Sequence, residues 1–178
     1  MNDDELATAI RKDYASVRAE LADESPVTVL YVGVGQTLLA SGKGAEPDAV
    51  IELALGAQKT SDEFFRHNPP TPLELENAIM TVEDEVARSR AIIVDGSRLF
   101  TRDAGIREIA LIAGLRDQPA LTLSLETMEK TFDRLAAVSL GRPAAHEGLP
   151  GSTAFAARLL ILREFMHHLK FASITVKP

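Results

Sequence analysis

Between Thr153 and Leu169 the chain reads TAFAARLLILREFMHHL, with Leu159, Leu160, Ile161 and Leu162 in succession. On a helix of about 3.6 residues per turn, four consecutive side chains point to all sides. A helix that is apolar nearly all round has no face to give to water, so this segment is predicted to lie buried between layers. The segment after it, Ala172 to Val176, reads as a strand, as does the β-branched run Val27-Thr28-Val29-Leu30-Tyr31-Val32, which is dense enough for a strand covered on both sides. The chain is therefore expected to be a layered α/β domain.

The remaining punctuation agrees with that class. Leu6, Ile10, Tyr14, Val17 and Leu21 recur at helical spacing and predict an amphipathic helix over residues 3–22, ahead of an α/β core over 26–177. Gly33 and Gly35 follow the first strand as a turn, Thr37 to Ser41 returns as a second strand, and Gly42-Lys43-Gly44 with Pro47 reads as a loop before a third at Val50 to Leu55. Thr71-Pro72-Leu73-Glu74 is a capping-box start. Leu75, Ile79, Val82 and Val86 continue that helix, and Ala91-Ile92-Ile93-Val94 is predicted as a short buried strand. Further helices are expected from Gly105 to Ala113 and from Leu125 to Leu140, the latter with Ser124 as cap and Gly141 as stop. At 178 residues with 46% hydrophobic content, one domain over 1–178 accommodates all of this.

Charge and composition narrow the function. A net charge of -7 and a pI near 5.1 argue against a nucleic-acid surface. The absence of cysteine excludes disulfides, thiolate catalysis and cysteine-ligated zinc. The opening Met1-Asn2-Asp3-Asp4-Glu5 is acidic, unlike a secretory leader, and no apolar stretch is long enough to span a bilayer. A cytoplasmic protein that binds neither nucleic acid nor membrane is expected.

Few residues are candidates for chemistry. The turn Gly33-Val34-Gly35-Gln36-Thr37 either presents backbone N–H groups to a phosphate or is a plain hairpin turn. Asp95-Gly96-Ser97 has the same double reading, with Asp95 a metal-directing carboxylate or a turn former. Lys43, Arg98, Arg102 and Arg107 are the cations nearest these turns and the candidates for neutralising a polyanion, against a plain role in surface solvation. His167 and His168 share the last helix with Glu164 but form no zinc motif, being adjacent and so turned apart, while His67 and His146 fall in loops. Glu83-Asp84-Glu85 reads as a solvated helix face. No Gly-x-Ser-x-Gly elbow or Walker loop is present.

The order of several blocks resembles the exopolyphosphatase and guanosine pentaphosphate phosphohydrolase (Ppx/GppA) family. In that family a glycine turn of the form Asp-Ile-Gly-Gly-Gly-Ser-Thr-Glu precedes a strand ending Leu-Gly-Ala, an acidic-aromatic helix and a proline-rich link into a Pro-x-Glu-Leu helix. Here the corresponding blocks are Gly33 to Thr37, Leu55-Gly56-Ala57, Ser61-Asp62-Glu63-Phe64-Phe65 and Asn68-Pro69-Pro70-Thr71-Pro72-Leu73-Glu74-Leu75. Asp95-Gly96-Ser97 is similar to the family's second glycine turn, and the blocks at Leu123 to Glu126 and Leu159 to Leu162 follow in order. The resemblance covers about residues 25 to 176. It implies an actin-like ATPase or ribonuclease H-like fold, a mixed sheet flanked by helices, corresponding to the second half of the catalytic unit.

By the same resemblance the phosphate contacts fall on Gly33, Gly35, Gln36, Thr37, Gly96 and Ser97. The family's aspartate falls on Tyr31, its serine on Gln36 and its last glutamate on Leu38, so no carboxylate survives at the first turn. The half that carries the catalytic glutamate has no room in this chain, and the end at Thr175-Val176-Lys177-Pro178 falls short of later family segments. The expectation is an exopolyphosphatase-like domain that binds phosphate, polyphosphate or a nucleotide and hydrolyses little or nothing alone, with magnesium or manganese relevant only if it is active. The alternatives are a non-catalytic self-associating or partner-binding module, and a phosphohydrolase completed by a separate chain. A homodimer is expected, since a face that packs on the other half must here be solvated, covered by the N-terminal helix or buried in an oligomer.

Overall fold

The computed structural model describes residues 3–178; Met1 and Asn2, which open the acidic N-terminal run, lie outside the described residues. Six strands, β1 (Val27–Val32), β2 (Thr37–Gly42), β3 (Ala49–Leu53), β4 (Arg98–Thr101), β5 (Leu121–Ser124) and β6 (Ser173–Val176), form one mixed sheet in the order β3-β2-β1-β4-β6-β5. The β1–β4 and β4–β6 pairs are parallel and the other three antiparallel. Six helices accompany it: α1 (Asp3–Glu20), α2 (Ala57–Phe64), α3 (Pro72–Arg88), α4 (Ala104–Ile112), α5 (Leu125–Ser139) and α6 (Thr153–His168).

Alternation along the strands divides the core in two. Leu30, Val32, Leu39, Leu53, Leu99, Leu121, Leu123, Ile174 and Val176 join α2, α3, α4, α5 and α6 in the main cluster. Val27, Val29, Leu38, Ala40 and Phe100 turn to the opposite face and meet Ile10, Tyr14 and Val17 of α1. The outer strands present Glu52, Thr122 and Thr175 on that second face, in register with Leu38, Thr175 and Phe100 respectively. Helix α1 covers the apolar strip of this face, with Tyr31 of β1 and Val50 of β3 half-buried beside it.

The buried helix is as its composition requires. Leu159, Leu160, Ile161 and Leu162 are all fully buried, and α6 packs against α2, α3, α4 and α5 as well as β1. Helix α3 starts on a complete capping box: the Thr71 hydroxyl accepts from the Glu74 N–H at 3.3 Å, and the Glu74 carboxylate accepts from the Thr71 N–H at 2.8 Å. The same carboxylate accepts from the Arg66 N–H and lies 2.9 Å from His67 Nδ1, which pins the proline-rich loop to the helix.

One expected element is displaced. Residues 91–94 are not a strand: α3 runs on into a 3-10 turn at Ser89–Ala91, and Ile92 and Ile93 pack half-buried against the edge of the main core. A four-residue apolar run has no periodicity to separate strand from packed loop. The strand is Arg98–Thr101, one turn later, where the Arg98 N–H donates to Pro26 O and starts the parallel pairing with β1. Strand β5 and its place at the sheet edge were not legible either.

Truncating Leu159 or Leu162 to alanine should cost roughly 2 to 5 kcal/mol in urea unfolding, because either leaves a cavity in a core closed on every side. Glu74→Gln should cost about 1 kcal/mol near neutral pH. Burial pushes the Glu74 carboxyl upward, but the Thr71 N–H, the His67 ring and the Arg66 N–H together outweigh it and hold it at about 2, below its ordinary 4.5. A carboxylate lowered in the folded state stabilises fully above its unfolded value and loses that contribution as pH falls through the folded value. The gap between Glu74→Gln and the parent should therefore be constant above about pH 4.5 and close toward pH 2 in the same assay.

Candidate functional site

The carboxyl ends of β1 and β4 meet where an open α/β sheet places its ligand crevice. Buried side chains lace the two ends together. Thr101 Oγ1 donates to Leu30 O at 2.7 Å and accepts from the Asp103 N–H at 3.0 Å. Asp103, the N-cap of α4, accepts from the Gly105 N–H at 2.7 Å on one oxygen and from the Val32 N–H at 2.9 Å on the other. Both of its oxygens are thus engaged by backbone donors.

Above this junction lies Arg158, projecting from α6. Its guanidinium occupies the space a Cβ at Gly105 would fill, so a glycine in the first turn of α4 is what seats it. One Nη lies 3.4 Å from Val32 O, while Nε is shielded from solvent with no hydrogen-bond partner. Among the described residues no carboxylate forms an ion pair with Arg158, whereas Arg98, Arg102 and Arg107 are paired with Asp23, Asp13 and Asp117. Lys43 lies at the other end of the sheet, in the loop after β2, beside a hollow of about 620 Å³ where Arg18 and Lys43 face Glu24 and Glu46. There opposite charges balance and nothing converges.

The Gly33–Thr37 turn joins β1 to β2 at the same end as Arg158. The Gly33 N–H donates to Gln36 O at 2.9 Å. Its carbonyls face α2: Gly33 O accepts from the Ala57 N–H, and Val34 O from the N–H groups of Gln58 and Lys59. The free donors of the α2 N-terminus are thereby satisfied by the hairpin. Neither Gly33 nor Gly35 has positive φ. Two positions leave no room for a Cβ: at Gly56 it would run into Val34 O and the Gly35 backbone, and at Gly33 it would lie 2.8 Å from Gln36 O. Thr37 is buried and donates to Leu55 O at 2.9 Å. Beside the turn is a hollow of about 250 Å³ lined by Leu6, Tyr31, Gly33, Val34, Gly35 and Gln36. Tyr31 there is half-buried among the residues packed with α1.

The second turn is elsewhere. Ser97 precedes β4, whose Arg98 is in register with Val27 at the start of β1, and Ser97 Oγ lies 2.8 Å from Thr28 Oγ1. Gly96 has φ +72 in a turn closed by the Ser97 N–H on Val94 O. Asp95, Gly96 and Ser97 are therefore a strand's length, roughly 20 Å, from Gly33 and form no common cleft with it. Sequence reasoning missed Asp103 and Arg158. Asp103 had a signal, an acidic cap two residues before Gly105 at a helix start. Arg158 had another, a lone cation inside an apolar run. The histidines are outside the crevice: His167 Nδ1 lies 3.0 Å from Glu129, and His168 Nε2 lies 2.8 Å from buried Glu164.

Gly56→Ala should destabilise by roughly 1–3 kcal/mol because the new methyl overlaps backbone. Gly35→Ala, which meets nothing within 4 Å, should fall within about 0.5 kcal/mol of the parent. Thermal unfolding of the two variants side by side checks the pair.

No protein-family model matches the chain, and no curated protein sequence does. Solved structures do. A Ppx/GppA family member from Aquifex aeolicus matches with a TM-score of 0.77 at 21% identity, over 96% of this chain and 57% of that one. An exopolyphosphatase from Cytophaga hutchinsonii matches with a TM-score of 0.74 at 15% identity, over 95% and 59% of the respective chains. An exopolyphosphatase-like protein matches at 0.67 and 14% identity, over 94% and 62%. The chain thus spans less than two thirds of the length of these proteins. Its six-stranded mixed sheet flanked by helices is the actin-like fold of the Ppx/GppA exopolyphosphatases, carried over a part of their length.

Proposed function

We propose that the chain is an exopolyphosphatase-like domain that binds a phosphate-bearing anion at the carboxyl ends of β1 and β4 and hydrolyses little or nothing on its own. The observation that carries this reading is Arg158. Arg158 is half-buried with its Nε shielded from solvent and no carboxylate paired with it among the described residues, so an anion at its open side would complete it. Its planar fork suits phosphate oxygens, and it lies against the first turn of α4, the positive end of that helix. The exopolyphosphatases of like fold support phosphate as the ligand class.

Hydrolysis is a different matter, because phosphoryl transfer depends on carboxylates that place a metal ion and water. Tyr31, Gln36 and Leu38 offer no carboxylate at the β1–β2 turn, and Asp103 is committed to the cap and to Val32. Among the described residues no three histidine, aspartate or glutamate side chains converge as metal ligands.

Calorimetry with polyphosphate should show binding that weakens at least about tenfold in Arg158→Gln, the value of one charge-assisted contact. Phosphate release with magnesium or manganese should stay at background. Unchanged binding in a folded Arg158→Gln variant would overturn the anion site. Release that a folded Asp103→Asn variant abolishes would overturn the non-catalytic reading. A self-associating or partner-completed reading rests on another observation: Val34, 68% exposed, lies beside Tyr31 and Leu6 at the hairpin. If it holds, light scattering should give a mass above the 19.3 kDa of one chain, and Val34→Ser should return it to that value.

A further inference from the structure

Helix α3 is held to the body by Leu75, Ala78, Val82 and Val86, all buried. Its outward face has a pattern that the fold does not use. Leu73 and Met80 are 65% and 66% exposed, and Ala87 is exposed as well, so apolar residues recur at seven-residue intervals along one line of the surface. Over that distance the line runs roughly 21 Å at about 1.5 Å per residue. Glu76 and Glu83 border it on one side and Asp84 on the other, all three exposed. From Ala57 to Arg88 seven carboxylates stand against three Lys and Arg side chains, a net -4 of the chain's -7. One of those three, Arg88, is already paired with Glu85 at 2.8 Å.

Leu73, Met80 and Ala87 form one apolar row with Glu76, Asn77, Glu83 and Asp84 between them, so a helix seated on that row would meet carboxylates along its flanks, and these select the sign of the flanks. We infer that the outer face of α3 docks an amphipathic helix of a partner protein, whose apolar stripe seats on Leu73, Met80 and Ala87 and whose flanks carry lysine or arginine. A second copy of α3 is disfavoured in the register that would join the two apolar rows. Antiparallel pairing centred on Met80 would set Glu76 against Asp84, and like charges facing each other disfavour that register. The capping box and the buried face hold α3 in place before the partner arrives, so little ordering cost falls on this side. The surface is independent of the Arg158 crevice.

The probe is a synthetic amphipathic helix of about three heptads with leucine on its apolar stripe and lysine on its flanks. A second peptide carries glutamate in place of each lysine. Fluorescence anisotropy should show the lysine peptide binding the full chain and the glutamate peptide not binding. The double variant Leu73→Gln/Met80→Gln keeps the net charge and alters only exposed side chains, so circular dichroism and Tm should match the parent. It should bind the lysine peptide at least about tenfold more weakly. Glu76→Gln/Asp84→Asn should also weaken binding and reduce its salt dependence. No binding of the lysine peptide, equal binding of both peptides, or affinity unchanged in Leu73→Gln/Met80→Gln would each overturn the inference; the last would mean attraction to the acidic surface at large.

Discussion

Helix α6 has to be enclosed on every side, and most of the architecture serves that need. Four consecutive fully buried residues give it no outward face, and fully burying each such side chain is worth about 1.5–3 kcal/mol. The sheet supplies one wall through Leu30, Val32, Leu99 and Ile174, and α2, α3, α4 and α5 supply the others. The sheet's second face carries a narrower apolar strip, which the single helix α1 covers. The asymmetry between five helices on one face and one on the other follows from where the apolar residues of the strands point.

Enclosure makes the polar residues of α6 informative. Glu164 is fully buried and brings its own partners: Arg163 Nη1 lies 2.6 Å from one carboxylate oxygen and His168 Nε2 2.8 Å from the other, while the Arg163 guanidinium also covers the Phe132 ring. The Glu164 charge is paired within the protein, although the oxygen beside His168 makes no hydrogen bond. Arg158, two turns earlier on the same helix, has only a long contact to Val32 O and a shielded Nε. It lies at the carboxyl ends of the parallel strands, where this class of sheet holds its ligands. The two differ in pairing: Glu164 has cationic side chains beside both oxygens, whereas Arg158 has no carboxylate partner among the described residues.

The β1–β2 turn serves the packing of the helix that follows β3. Its carbonyls cap α2, and closeness of backbone requires glycine at Gly56 and Gly33 but not at Gly35. Tyr31 packs toward α1 and so belongs to the second core.

Local chemistry was legible wherever it depends on residues close in sequence. The all-apolar run at Leu159 to Leu162, the capping box at Thr71 to Glu74, the cap at Ser124 and the stop at Gly141 each specify their structure through spacing alone, and each is found as read. The α/β class follows from them. What the sequence left open depends on which strands pair. Ile92 and Ile93 are as apolar as the strand residues Leu99 and Phe100, and only pairing with β1 decides that Arg98–Thr101 is the strand. That pairing puts Asp95 to Ser97 at the far end of the sheet from Gly33. It also brings Arg158, 53 residues further along than Gly105, onto the first turn of α4. Sequence carries the local hydrogen-bonding and burial preferences of each segment; the register of a parallel sheet is set by long-range packing, and the crevice at its ends exists only once that register is chosen.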